Sequence, residues 1–158
     1  YARTLSQGTY KWMYDVEFEG FKYNGNSIMA AMGLVALKYL DQDNAYRRQL
    51  ADWYDEFLKE EPRVHRIPMS PECVPSRHLY QVEVEHRDEA MLALNQAKIF
   101  PGVHYRDNTA YQMYASGQGS CPRAHQASER IISLPMHMRL SIEQIKYIAG
   151  ELKTFVAR

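Results

Sequence analysis

Three patterns predict an α+β fold in which a small sheet packs against helices. Apolar residues recur at three- and four-residue steps in several stretches of helical length. Short alternating runs, the clearest over residues 78–84, carry the period-2 signature of strands. The two kinds are interleaved in the order β, α, α, β, α, β, α, β, α, with no internal repeat and no low-complexity tract.

The first element lies in an aromatic and β-branched stretch, residues 10–21, where apolar and acidic residues alternate from Tyr14 to Phe18. Gly20 marks a bend or a bulge there. Asn24-Gly25-Asn26-Ser27 then supplies the side-chain acceptors that cap a helix start. The helix that follows, residues 28–40, carries Ile28, Ala31, Met32, Val35, Tyr39 and Leu40 at helical spacing. Residues 41–44 interrupt it. A second helix over residues 45–60 presents Tyr46, Leu50, Trp53, Tyr54, Phe57 and Leu58 on one stripe. Pro62, Pro68, Pro71 and Pro75 mark a loop. A strand at residues 78–84, a helix at 87–97 and a strand at 99–105, broken at Pro101-Gly102, come next. Residues 106–122 form a polar excursion, the kind of loop that is functional or mobile. A short helix (123–130), a strand (131–135) and a final helix capped by Ser141, with Glu143 and Gln144 in its first turn, complete the chain.

The length, 158 residues, suits one domain of ordinary size. Nineteen basic and nineteen acidic residues cancel. That balance argues against a dedicated nucleic-acid binder, which needs a clustered basic excess, and leaves no polybasic patch for a membrane surface. No stretch approaches the roughly 18 apolar residues of a membrane span, and no signal-like segment opens the chain. Cys73 and Cys121 are too few for a disulfide framework and read as reduced thiols of a cytoplasmic protein. The start at Tyr1 reads as a piece of something longer, or as a trimmed product.

Six histidines are scattered without the helical spacing of a metal motif, so no metal site is expected. His104-Tyr105 stands apart, at an expected strand end against the polar excursion. Imidazole and phenol both hydrogen-bond a polyhydroxylated ligand, and their faces add stacking area. The alternative is a plain structural pair. Lys22-Tyr23-Asn24 offers a cation, a phenol and an amide beside a helix start, a setting that suits a phosphate; its alternative is a strand end before a cap. Gly117-Gln118-Gly119-Ser120 lacks the strand-to-helix setting of a phosphate loop. No nucleophile elbow, partnered cysteine or carboxylate pair stands out, so no catalytic residue is assigned.

Several segments together resemble a known family. Gly20-Phe21-Lys22-Tyr23-Asn24 with Ala30-Ala31-Met32-Gly33-Leu34, then Ser76-Arg77-His78-Leu79-Tyr80, then Val103-His104-Tyr105 with Gln112 and Tyr114, then Pro122 with Ser133-Leu134-Pro135, are similar in order to motifs of the DegT/StrS-type sugar aminotransferases. The similarity extends from about Tyr10 to Val156. Gly25 stands where the family has a bulky apolar residue, and a second histidine after the His-Tyr pair is missing.

The resemblance implies the C-terminal small domain of a fold-type I aminotransferase that uses pyridoxal 5′-phosphate on nucleotide-linked keto sugars. It implies an inter-subunit strand segment at residues 1–26 and the small domain at 27–158. The large domain, which bears the Schiff-base lysine and most cofactor contacts, is then absent, and no transamination is expected from this chain alone. Family dimers share their active sites. By match to the motif, Asn24 contacts the cofactor phosphate of the neighbour, with Lys22 as a weaker candidate. His104, Tyr105 and Tyr23 line the substrate side. The expected partners are a nucleotide-sugar substrate and a second copy or a cofactor domain. Alternatives are a sugar dehydratase of the same family, a non-catalytic interaction or regulatory remnant, and a small-ligand module centred on His104.

Overall fold

The Asn26 side chain accepts a hydrogen bond from Met29 N at 2.9 Å and caps helix α1 (Ser27–Leu37) from extended backbone. In this computed structural model, which describes residues 15, 16 and 18–158, residues 18–26 reach that cap without regular secondary structure. Of the strand expected over residues 14–18, Tyr14 and Glu17 lie outside the described residues; Asp15, Val16 and Phe18 form no strand. No sheet edge pairs with them, and an unpaired strand has no ladder to hold it.

Helix α1 is apolar nearly all round and buries none of its residues. It breaks at Lys38-Tyr39, and α2 (Leu40–Leu58) follows at once. The interruption expected at 41–44 is instead the first turn of α2. Asp41 and Asp43 place negative charge beside the free N–H groups of the helix start, which favours helix there. From α2, Leu50, Ala51, Tyr54 and Leu58 are buried.

The proline-rich stretch contains an unexpected two-residue strand, β1 (His65–Arg66), paired antiparallel with β2 (Tyr80–Glu83). β2 pairs antiparallel with β3 (Ile131–Leu134), with Tyr80 opposite Leu134 and Gln81 opposite Ser133, so the sheet order is β1-β2-β3. Tyr80 and Val82 point inward and Gln81 and Glu83 are half-buried, the alternation that the sequence predicts. The strand expected over residues 99–105 shrinks to a single bridge. Gly102 N donates to Ser133 O at 2.9 Å and Ser133 N donates back to Gly102 O at 2.7 Å. In this register the next hydrogen-bonded pair would be Phe100 opposite Pro135, and Pro135 has no N–H to give.

Helices α3 (Arg87–Gln96), α4 (Pro122–Arg130) and α5 (Ile142–Val156) complete the fold. α5 packs against α2 and α3, α3 also meets β3, and α4 meets β2. Ile132, Leu134, Val82, Leu94, Ile145 and Leu152 fill the space between sheet and helices. The Tyr54 ring stacks on Tyr80 at 4.6 Å, and its hydroxyl donates to Pro135 O at 2.8 Å. Burial raises both phenols well above their ordinary range; for Tyr80 a 2.8 Å hydrogen bond to Asp55 adds to the effect. The capping box at α5 forms as expected: Ser141 N donates to Gln144 Oε1 at 2.9 Å, and Gln144 N donates to Ser141 Oγ at 3.4 Å. The result is an α+β domain with one small antiparallel sheet. Among the described residues no helix is long and apolar enough to cross a membrane.

Candidate functional site

Gln81, Ser133 and Gly102 form one row across the sheet, Gln81 opposite Ser133 and Ser133 bridged to Gly102. Directly opposite residues in such a ladder share a face. His104, two residues beyond Gly102, returns over this row. Its Nδ1 lies 2.9 Å from Ser133 Oγ. Its carbonyl oxygen accepts a hydrogen bond from Gln81 Nε2. A side chain at position 102 would collide with it, since a Cβ there would sit 2.8 Å from His104 Cε1. Glycine is therefore required so that the imidazole can lie against the bridge.

Tyr105 is 71% exposed and sets its ring edge-on to His104, 5.1 Å between centroids. The pair thus has a half-buried, doubly anchored member and an open aromatic member. One end is apolar and one is wet, which suits a ligand with both ring faces and hydroxyls.

The excursion that follows is pinned rather than loose. Asp107 caps a 3-10 turn (Asn108–Ala110), its Oδ1 accepting from Thr109 N at 2.9 Å. Thr109 Oγ1 lies 2.9 Å from both carboxylate oxygens. Oδ2 meets His125 Nδ1 of α4 at 3.1 Å, and His125 Nε2 faces Glu129 at 3.4 Å. The Thr109 backbone N–H, then its hydroxyl, then His125 hold the Asp107 carboxyl below its ordinary range. Arg106 lays its guanidinium 4.8 Å from the centroid of the Tyr111 ring and donates to Ala110 O at 3.0 Å.

Lys22, Tyr23 and Asn24 lie elsewhere, on the exposed segment ahead of α1. Tyr23 is 86% exposed, with the Phe21 ring 5.8 Å away. Among the described residues no hydrogen bond, ion pair or ring contact joins this segment to His104 or Tyr105. The structure therefore brings together two of the five residues expected at a site and leaves three apart. Gln81, Ser133, Gly102, Asp107 and His125 carry site geometry that the sequence reading did not assign to them, although Ser133 lies in the Ser133-Leu134-Pro135 motif. Asp107-x-Thr109 has the form of a side-chain turn, but its partner His125 lies 18 residues away, beyond local pattern. Among the described residues no group of three His, Cys, Asp or Glu side chains is placed to hold a metal ion. Cys73 and Cys121 are unpaired and exposed.

Comparison with known proteins assigns the fold and its motifs together. The model of the DegT/DnrJ/EryC1/StrS aminotransferase family matches residues 2–153. The chain belongs to this family. Over 146 residues it is 28% identical to the dTDP-3-amino-3,6-dideoxy-alpha-D-galactopyranose transaminase of Aneurinibacillus thermoaerophilus, covering 90% of this chain and 39% of that protein. Over 148 residues it is 28% identical to the dTDP-4-dehydro-2,3,6-trideoxy-D-glucose 4-aminotransferase of Saccharopolyspora spinosa, covering 92% of this chain and 38% of that protein. Among solved structures, a Streptococcus pneumoniae protein assigned as a sugar aminotransferase superposes in its PLP form with a TM-score of 0.78. The two are 31% identical, and the match covers 92% of this chain and 39% of that one. This DegT-family chain therefore spans about 39% of the length of such relatives. Its small sheet and helices are those of sugar aminotransferase structures.

Proposed function

We propose that this DegT-family chain is the C-terminal part of a pyridoxal-phosphate aminotransferase acting on nucleotide-linked keto sugars. It contributes substrate-pocket and dimer contacts and is not competent alone. The observation that carries the reading is the His104-Tyr105 pair, His104 held by two strands and Tyr105 exposed, in a chain whose relatives include two named for dTDP-linked sugars. In this reading His104, Tyr105 and Tyr23 line the sugar-nucleotide side. Residues 1–26 form the segment that crosses to a neighbouring subunit, and residues 27–158 form the small domain.

The fit to the cofactor is a fit to its phosphate end. Asn24 has two amide N–H donors and Lys22 an ammonium, both exposed and with no acidic partner in ion-pair reach among the described residues. Charge-assisted donors of this kind bind phosphate oxygens. When bound, pyridoxal phosphate supplies the electron sink for amino transfer. This chain's own residues hold and orient: Asn24 and Lys22 the phosphate, His104 and Tyr105 the sugar nucleotide. No described lysine is buried, so the reading takes the Schiff-base lysine from outside these residues. The free thiols suit the cytoplasm, which keeps them reduced.

An absorbance titration with pyridoxal phosphate tests this, using the chain alone and then mixed with any upstream product of the same gene region. The expected visible band appears only in the mixture and is fixed by borohydride onto the partner's lysine. Asn24→Ala in the mixture lowers cofactor affinity by about tenfold, the scale of one hydrogen bond to a charged group. A reducible band with this chain alone overturns the lysine assignment. No band in either sample overturns the cofactor reading and leaves the wholly exposed α1 as an interaction helix.

A further inference from the structure

We infer that Ser133 is a positioning residue for His104: its buried hydroxyl donates to Nδ1 and so fixes the neutral imidazole as the tautomer with the proton on Nε2, offered to an acceptor oxygen of a ligand. Ser133 is only 3% exposed. A hydroxyl carries one proton and two lone pairs, and a buried donor left without an acceptor is tolerated less than an idle lone pair. Among the described residues, the hydrogen-bond partner of the Ser133 hydroxyl is His104 Nδ1, at 2.9 Å. Ser133 O accepts from Gly102 N and Gly102 O from Ser133 N, and neither carbonyl forms a hydrogen bond with the Ser133 hydroxyl. The Ser133 proton is therefore best satisfied on Nδ1, which must then be the bare nitrogen. The remaining imidazole proton sits on Nε2, where no hydrogen bond to a described residue is formed.

Two further contacts make this a fixed presentation. Gln81 holds the His104 carbonyl oxygen, and the missing side chain at Gly102 leaves room for the ring beside the bridge. Gln81 and Ser133, which hold His104, stand on the paired strands β2 and β3, so the imidazole is anchored from regular structure. Which tautomer a histidine adopts is set by the bond its other nitrogen makes, and it decides whether the free nitrogen gives or accepts a hydrogen bond. A phosphate, carbonyl or hydroxyl oxygen is the complement of an Nε2–H. That oxygen's membership of a nucleotide-linked sugar rests on the function proposed above; the tautomer does not.

Long-range proton–nitrogen spectra of the imidazoles in the 15N-labelled intact protein test it, with His104→Gln identifying the His104 signals. The expected wild-type spectrum has a bare, pyridine-type Nδ1 and a protonated, pyrrole-type Nε2. Ser133→Ala moves both nitrogens toward averaged values, and Ser133→Thr, which keeps the hydroxyl, restores the split. A protonated Nδ1 in the wild type, or a Ser133→Ala spectrum equal to wild type, overturns the inference. The wild-type spectrum decides even if a variant folds poorly. In the reconstituted enzyme, Ser133→Ala raises KM for a dTDP-linked keto sugar about 3- to 10-fold, the size of one lost hydrogen bond, with a smaller change in kcat. An unchanged KM overturns the ligand half. A wild type that neither binds nor converts any nucleotide-linked sugar instead defeats the substrate reading, while the spectra still decide Ser133.

Discussion

The Asp107 carboxylate ties the excursion after His104 to α4, through Thr109 on its own turn and His125 across it, with Glu129 on the far side of that imidazole. Because these bonds favour the ionised form, its native titration lies below that of the unfolded chain, about 3.9. The unfolded state then takes up a proton first as pH falls. The stabilisation is complete above the unfolded value and is lost as pH falls through the lowered native value. Urea unfolding of wild type and Asp107→Asn between pH 7 and 2 checks the sign. The wild type is the more stable at neutral pH, and the difference closes only at the acid end. A difference that widens toward acid contradicts the assignment.

At the scale of elements, α5 depends on its capping box, since α5 is the helix that packs against both α2 and α3. Ser141→Ala removes one acceptor and lowers stability by about 1 kcal/mol in denaturant titration, with an unchanged slope. That cap was legible in sequence because its chemistry is local: a serine and, three positions on, a glutamine. The stripes of α2 and α5 and the alternation of β2 were legible for the same reason. The failures are equally physical. His65-Arg66 has no strand pattern of its own and becomes β1 only because β2 offers an open edge. Residues 99–105 look like a strand, but the register set by Gly102 and Ser133 would next pair Phe100 with Pro135, which has no N–H to donate. The 41–44 break moved to Lys38-Tyr39 because two aspartates that suggest a loop also suit a helix start. At the site, His104 and Tyr105 were visible as residue types at an expected strand end. The row of Gln81, Ser133 and Gly102 that holds His104 was not, because register between distant strands is written in no local motif.

For the whole molecule the governing fact is α1. Ile28, Met32, Leu34 and Leu37 are each more than 60% exposed, and Phe21 and Tyr23 precede them with more than 80% exposed. A helix apolar on all sides is stable in water only when something covers it. The chain alone is therefore expected to associate: light scattering at rising concentration gives a mass above 18.5 kDa, and Met32→Asp with Leu34→Lys shifts it toward the monomer. A monodisperse monomer at high concentration contradicts the expectation.

The placement of the buried residues gives α1 a second meaning. Among the described residues, burial begins at Leu50, with Tyr46 as the outermost side chain packed on the core. A substitution in α1 thus has no neighbour in the domain's own interior to disturb. The domain's core and its exposed apolar helix are written in separate stretches of one chain, and a lineage can revise the second while leaving the first intact.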